Sequence, residues 1–190
     1  MKLRVHGLTV GSRVNGPGRR NVVHTRGCTL ACPGCFNPDS HDPEGGAAWE
    51  VEALADHLLG GDPDGISVSG GEPLQQPEAL LALLIALRAR REGVSILLFS
   101  GYTVEEIRDQ PLGPAVLAQL DVLVDGRFEV KAMAEGGLRG SANQRIHLLS
   151  PRHRPEELAD RSTEILIRPD GTLVLSGFPS GKLVGALRRG

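Results

Sequence analysis

The sequence predicts an α/β fold: a partial (β/α) barrel or open sheet, mostly parallel, with a C-terminal β-hairpin extension. Three observations carry that prediction. Short runs rich in Val, Ile and Leu, such as GISVS, VSILLF and DVLV, match strands buried on both faces. Stretches with helical spacing separate them, so strand and helix alternate. The chemically unusual residues fall in the loops after the strands, where parallel α/β folds build their sites.

The elements follow in order. Asn21 to Thr25 reads as the first strand and feeds a loop that contains every cysteine of the chain. Trp49 to Leu59 has helical spacing through Trp49, Ala53, Leu54 and Leu58. Gly65 to Ser69 is a short strand. Pro77 opens a helix to about Arg91, because proline suits the first helical position. Val94 to Phe99 is a strand, Thr103 to Arg108 and Pro114 to Leu120 are short helices, and Asp121 to Val124 is a further strand. From Ser150 the chain turns polar in PRHRPEELADR, a surface loop or short helix. ILIRPDGTLVL then sets two apolar strands around a Pro-Asp-Gly turn. Residues 1–149 are thus expected to form the core domain and 150–190 an extension within the same globular unit. The hairpin is expected along a sheet edge, leaving the mouth of the site open.

Composition narrows the function. Of 190 residues, 40% are hydrophobic and 23% charged, the balance of an ordinary globular domain. A net charge of −2 gives no ground for a nucleic-acid or membrane surface. The longest apolar run, Ala79 to Leu87, falls well short of the ~20 residues a bilayer span needs, and it reads as a buried helix. The N-terminus lacks a basic-then-apolar signal pattern, so a cytoplasmic protein is expected. The 3 cysteines form a tight, odd-numbered cluster, which suits metal or redox chemistry and not a disulfide framework.

Those cysteines lie as Cys28-x3-Cys32-x2-Cys35 on one short loop. Three thiolates leave one iron of a cubane cluster without a protein ligand, and an open position is what a catalytic metal needs. Gly27 and Gly34 let the backbone wrap closely, and Pro33 stiffens the turn. The next loop is Ser69-Gly70-Gly71-Glu72-Pro73, whose carboxylate can meet an ammonium group.

With these two motifs in the loops of successive strands, the chain resembles the radical S-adenosylmethionine (SAM) superfamily. Within it, the chain is similar to the activating proteins of anaerobic ribonucleoside-triphosphate reductase. VNGPGRR, GCTLACPGCFN, ISVSGGEPL, FSGYT, VLVDGRF and RGSANQRIH carry the resemblance, in family order, over residues 5 to 148. It implies a radical SAM-type partial barrel and a [4Fe–4S] cluster on Cys28, Cys32 and Cys35. That cluster would cleave SAM to a 5′-deoxyadenosyl radical, which abstracts hydrogen from a glycine of a partner glycyl radical enzyme. A flavodoxin or ferredoxin would supply the electron. Gly70, Gly71 and Glu72 would hold the SAM amino group, with Asn37, Ser100, Gly101 and Tyr102 near the nucleoside. Arg139 to Arg145 would line the mouth or face the partner.

Other readings stand beside these. A radical SAM enzyme could act directly on a peptide or small molecule, with residues 150–190 covering its site. A non-catalytic module could hold zinc through the three cysteines and His24 or His41. Arg19-Arg20 reads as a solvated end, Asp125-Gly126 as a strand-ending turn, and Tyr102 as either packing or ligand contact. His24 stands in its strand where an aromatic or aliphatic residue is expected.

Overall fold

The computed structural model describes residues 1–134, 136–159, 163–167 and 170–178. Its main sheet has seven strands: β1 (Lys2–Ser12), β2 (Arg20–Thr25), β3 (Ala47–Glu50), β4 (Gly65–Gly70), β5 (Ser95–Phe99), β6 (Val122–Asp125) and β7 (Arg145–Leu148). They lie in the order β3-β1-β2-β4-β5-β6-β7. The central strands β2, β4, β5 and β6 are parallel, while β1, β3 and β7 pair antiparallel at the flanks. The mixed α/β architecture with a parallel centre agrees with the sequence.

Helices α1 (Val51–Leu59), α2 (Pro77–Arg90), α3 (Val104–Asp109) and α4 (Gly113–Leu117) complete the core. In α1 the buried residues are Val51, Leu54, Ala55 and Leu58, one apolar stripe at helical spacing. Trp49, expected inside that helix, sits instead on β3, which pairs with β1 through Leu3. Its ring still meets His57 of α1 at 5.3 Å. Helix α2 begins at Pro77 as expected and ends at Arg90, burying Leu80, Leu83, Leu84 and Leu87 completely. Each such side chain contributes about 1.5–3 kcal/mol by leaving water. Thr103 is the N-cap of α3 and forms a capping box with Glu106.

Strand alternation sorts side chains between the two faces. Val23, Ile66, Val68, Ile96, Leu98 and Leu123 point to the helices and form the larger core. Leu97, Val122 and Val124 point to the opposite face and join Leu138 and Leu158 in a smaller cluster. That second face also carries polar residues. Arg20 on β2 is completely buried there, donating to Ser67 Oγ (2.7 Å), Pro17 O, Ser95 Oγ, Ile66 O (2.7 Å) and Ser95 O. The expectation of a solvated Arg19-Arg20 end fails for Arg20, because strand alternation turns it inward while Arg19 reaches the Gly61 and Asp62 carbonyls outside. Gly16 and Gly65 make the room: a Cβ at Gly65 would lie 2.4 Å from the Arg20 guanidinium.

The C-terminal strands β8 (Thr163–Ile167) and β9 (Leu173–Gly177) pair as a hairpin with Ile165 opposite Leu175. Pro169 of the expected turn lies outside the described residues, as do residues 179–190. The hairpin does not extend the main sheet edge. It forms a separate two-stranded sheet, tied back by Asn15 Nδ2 donating to Ser176 Oγ at 2.6 Å. Phe178 packs on the smaller core cluster. An edge docking needs free strand backbone beside β3 or β7; here polar side chains and one aromatic ring fix the hairpin to the second face instead. Among the described residues of PRHRPEELADR, Pro155–Leu158 forms one short 3-10 helix, with Leu158 buried.

Candidate active site

The loops after β2, β4, β5 and β6 meet on one cavity of about 140 Å³ at the C-terminal ends of the parallel strands. Cys28, Cys32 and Cys35 all line it and are half-buried free thiols. Cys35 N–H donates to Cys32 O at 3.1 Å, closing a tight turn across Pro33-Gly34. Ala31 takes a left-handed φ of 46°, a conformation costly outside functional loops. Burial pushes the Cys28 and Cys35 thiols up, against backbone N–H groups of Leu30 and Ala31 at Cys28 and of Asn37 at Cys35. The Asn37 N–H lies 3.4 Å from Cys35 Sγ. Such N–H groups aimed at sulfur favour its thiolate and tune a bound metal.

Gly70 and Gly71 line the same cavity, and close backbone approach requires both. A Cβ on Gly70 would meet Thr25 N at 2.4 Å, and one on Gly71 would meet Gly27 O at 2.4 Å. The glycine pair therefore admits the neighbouring chain first and any ligand second. Gly71 N–H donates to Thr25 O at 2.9 Å and Glu72 N–H to Gly27 O at 2.8 Å, joining the cysteine loop to this turn.

Glu72 is buried at the junction of three loops. Its Oε1 accepts from Leu74 N–H (3.0 Å) and Ser100 O–H (2.9 Å), and its Oε2 accepts from Gly101 N–H (2.7 Å). Burial pushes its carboxyl up to about 7, against those donors. A carboxylate offers about four lone-pair positions, so with three donors in place it can accept one more from the cavity. Ser100 and Gly101 line the cavity too, and Asn37 sits in its wall.

Tyr102 is placed differently. Its hydroxyl meets Gln75 Nε2 at 3.2 Å and its ring lies under Arg127 at 5.6 Å. It packs against the larger core and is absent from the described residues lining the cavity. Asp125 is more than a turn residue: fully buried, it accepts from Val104 N–H at 2.6 Å and pairs with Arg145 at 2.7 Å. In RGSANQRIH, Gln144 Oε1 accepts from the Gly140 and Ser141 N–H groups, while its Nε2 donates to Gly126 O. That segment secures the VDGRF loop, and within it Gln144 reaches the cavity wall.

Sequence reasoning missed the aromatic wall. Phe36 and Phe128 have ring centroids 4.7 Å apart, and both line the cavity with Phe99 and Leu30. Phe36 and Phe128 come from different loops with no shared pattern; the one signal was their place beside Cys35 and in DGRF. His41 also lines this cavity. His24 lies deeper, its Nε2 3.3 Å from Thr9 Oγ1, and burial lowers its pKa to about 4, with nearby His6 adding to the effect. Among the described residues, no three Cys, His, Asp or Glu side chains are gathered around a point that would hold a single ion. The donor set suits a polynuclear cluster, which takes each thiolate on its own iron.

Comparison with known proteins agrees with this geometry. Residues 14–147 match the family model described as a 4Fe-4S single cluster domain, which includes all three cysteines. An anaerobic ribonucleoside-triphosphate reductase-activating protein from Vibrio cholerae is 36% identical over 144 residues, covering 70% of this chain and 90% of the relative. The protein of the same name from Salmonella typhi is 34% identical over 157 residues, covering 77% of this chain and 99% of the relative. That from Pasteurella multocida is 34% identical over 143 residues, covering 70% and 90%. With its cysteine loop inside an iron–sulfur domain and most of each relative's length aligned, the chain belongs to the family of anaerobic ribonucleoside-triphosphate reductase-activating proteins.

Proposed function

We propose that the chain is a radical SAM activase that installs a glycyl radical on an anaerobic ribonucleotide reductase, on a half-barrel of the radical SAM type. One observation carries this reading: three thiols, the Glu72 carboxylate and the Ser100-Gly101 turn face one cavity from three neighbouring strand ends. When bound, the cluster supplies the electron that cleaves SAM to methionine and a 5′-deoxyadenosyl radical. Cys28, Cys32 and Cys35 hold it and leave one iron open. Glu72 takes the SAM ammonium at its remaining acceptor position. Phe36, Phe99 and Phe128 exclude water from the reacting centre. A flavodoxin or ferredoxin delivers the electron, and the reaction belongs in the cytoplasm. Among the described residues no helix is long and apolar enough to cross a membrane.

The test is anaerobic incubation of the reconstituted protein with SAM, reductant and the reductase, followed by electron paramagnetic resonance. A glycyl radical signal on the reductase is expected. Deoxyadenosine formed with no such signal would instead favour direct action on a peptide or small molecule, a reading that draws on the hairpin's approach to the site.

The Glu72 role adds a pH signature. Burial holds its carboxyl up at about 7 in the ligand-free protein, and only the ionised form attracts an ammonium. SAM affinity is therefore expected to weaken, approaching tenfold per pH unit, as pH falls below that value, while above about pH 8 the SAM amino group loses its own proton and weakens the pair again. Calorimetric titration of the cluster-loaded protein between about pH 8 and about pH 6 measures this. Affinity independent of pH across the range removes Glu72 from the SAM ammonium.

A further inference from the structure

A second cavity, of about 150 Å³, lies behind the cysteine cavity on the same face of the sheet. The two share Phe36, Asn37, Ser69, Phe99, Phe128 and Gln144, so they are contiguous. No cysteine reaches the second one. Its floor includes His24 and Ser69, adjacent on β2 and β4. Its far wall is Leu175, Ser176, Gly177 and Phe178 of the hairpin. Phe178 meets Phe36 edge to face at 6.2 Å, so the hairpin touches the ring that the two cavities share.

We propose that β9 and Phe178 form the wall of the chamber into which the hydrogen donor enters, and that they set which donor reaches the radical. This rests on the activase reading and extends it. The chemistry of the lining selects the occupant. None of the described lining residues is Asp, Glu, Lys or Arg. The described lining thus offers none of the cationic side chains that phosphate groups pair with. A glycine-bearing polypeptide segment fits that lining: it brings no side chain at the reacting carbon, but its flanking amide groups need neutral partners away from water. Asn15, Ser69, Gln144 and Ser176 present amide and hydroxyl groups there, between aromatic rings that exclude water. The hairpin lies beyond residue 147, where the iron–sulfur family match ends.

The test adds bulk to the chamber and removes it. Leu175→Trp fills space from the hairpin side, and Phe178→Ala opens the wall. Ile167→Trp, on the same hairpin at a position 74% exposed, is the control. Three quantities are followed: deoxyadenosine formed from SAM without reductase, glycyl radical per deoxyadenosine with reductase, and calorimetric binding of a synthetic peptide carrying the reductase's radical glycine to the cluster-free protein. Leu175→Trp is expected to keep reductase-free cleavage, while radical yield and peptide affinity each fall about tenfold or more, since misplacement of a reactant by about 1 Å can cost as much. Phe178→Ala is expected to raise deoxyadenosine formed per radical several-fold, because stray hydrogen donors gain entry. Ile167→Trp should match the unmodified protein. Unchanged yield, ratio and peptide affinity in both chamber variants overturn the proposal. So does loss of reductase-free cleavage in Leu175→Trp alone, which would place the hairpin on the SAM side. A protein that cleaves SAM but never marks the reductase even without substitution refutes the activase reading itself, while the peptide titration still judges the chamber.

Discussion

Replacing any one of Cys28, Cys32 or Cys35 with Ala is expected to abolish deoxyadenosine formation, with iron falling from about four per chain to a small residue. On the proposed cluster each thiolate would serve a separate iron, so two could not cover for the third. Between Cys28 and Cys35 the loop carries no His, Asp or Glu to take the place of a lost thiolate. The fold should survive, because the loop's anchoring bonds come from other residues or from backbone atoms that Ala retains. Iron analysis, chromatographic assay of deoxyadenosine and a thermal melt of each variant separate the two effects. A single Ala variant with full cleavage activity would falsify the cluster assignment.

The largest effect on stability is expected at Arg20. Ala there leaves a guanidinium-sized void and strips donors from Ser67 Oγ, Ser95 O, Ile66 O and Pro17 O in a buried layer. A buried polar group left unpaired costs roughly 1–3 kcal/mol, and several such groups with a cavity amount to at least about 4 kcal/mol. Typical domains are stable by only about 5–15 kcal/mol, so much of Arg20→Ala is expected to be unfolded or insoluble. Burial lowers the Arg20 pKa to about 10, partly offset by the charges of Asp121 and Asp64, so the group is still cationic at neutral pH. Arg20→Lys keeps the charge but loses the fork of donors, and should fall between. Arg19→Ala, at the neighbouring residue that reaches the Gly61 and Asp62 carbonyls, should cost less than about 1 kcal/mol. Urea denaturation of the three variants decides it, and equal losses at positions 19 and 20 contradict the buried hub.

Much of this was legible in the sequence for definable reasons. GISVS, SILLF and VLVD declared their strands because the parallel centre is covered on both faces. The cysteine loop and GGEP stand out because their residue types have few other uses at that spacing, and the fold brings both to one cavity. Strand β1 went unread because irregular pairing between Val5 and Gly7 breaks its alternation. Strand β7 went unread because RIHL carries the polar Arg145 and His147, which face Asp125 next door at 2.7 Å and 3.1 Å. Arg20 was misread for the opposite reason. Two adjacent arginines look solvated until the strand's period sends one inward. The aromatic wall and the hairpin's seat depend on tertiary contact alone, and no local pattern announces that Phe36, Phe128 and Phe178 will meet.

The anchoring of the cysteine loop has a consequence for life around oxygen. Gly27 and Cys28 N–H groups donate to Ser40 O and His41 O, and the Gly71 and Glu72 N–H groups donate to Thr25 O and Gly27 O. These are bonds between parts of the chain, so oxidative destruction of a cluster leaves them standing. Recapturing iron and sulfide then requires ordering only the short span from Cys28 to Cys35, and loop-closure entropy grows with the length of chain that must be brought together. Reloading a lost cluster would then call for reordering one short loop and not for refolding its anchors.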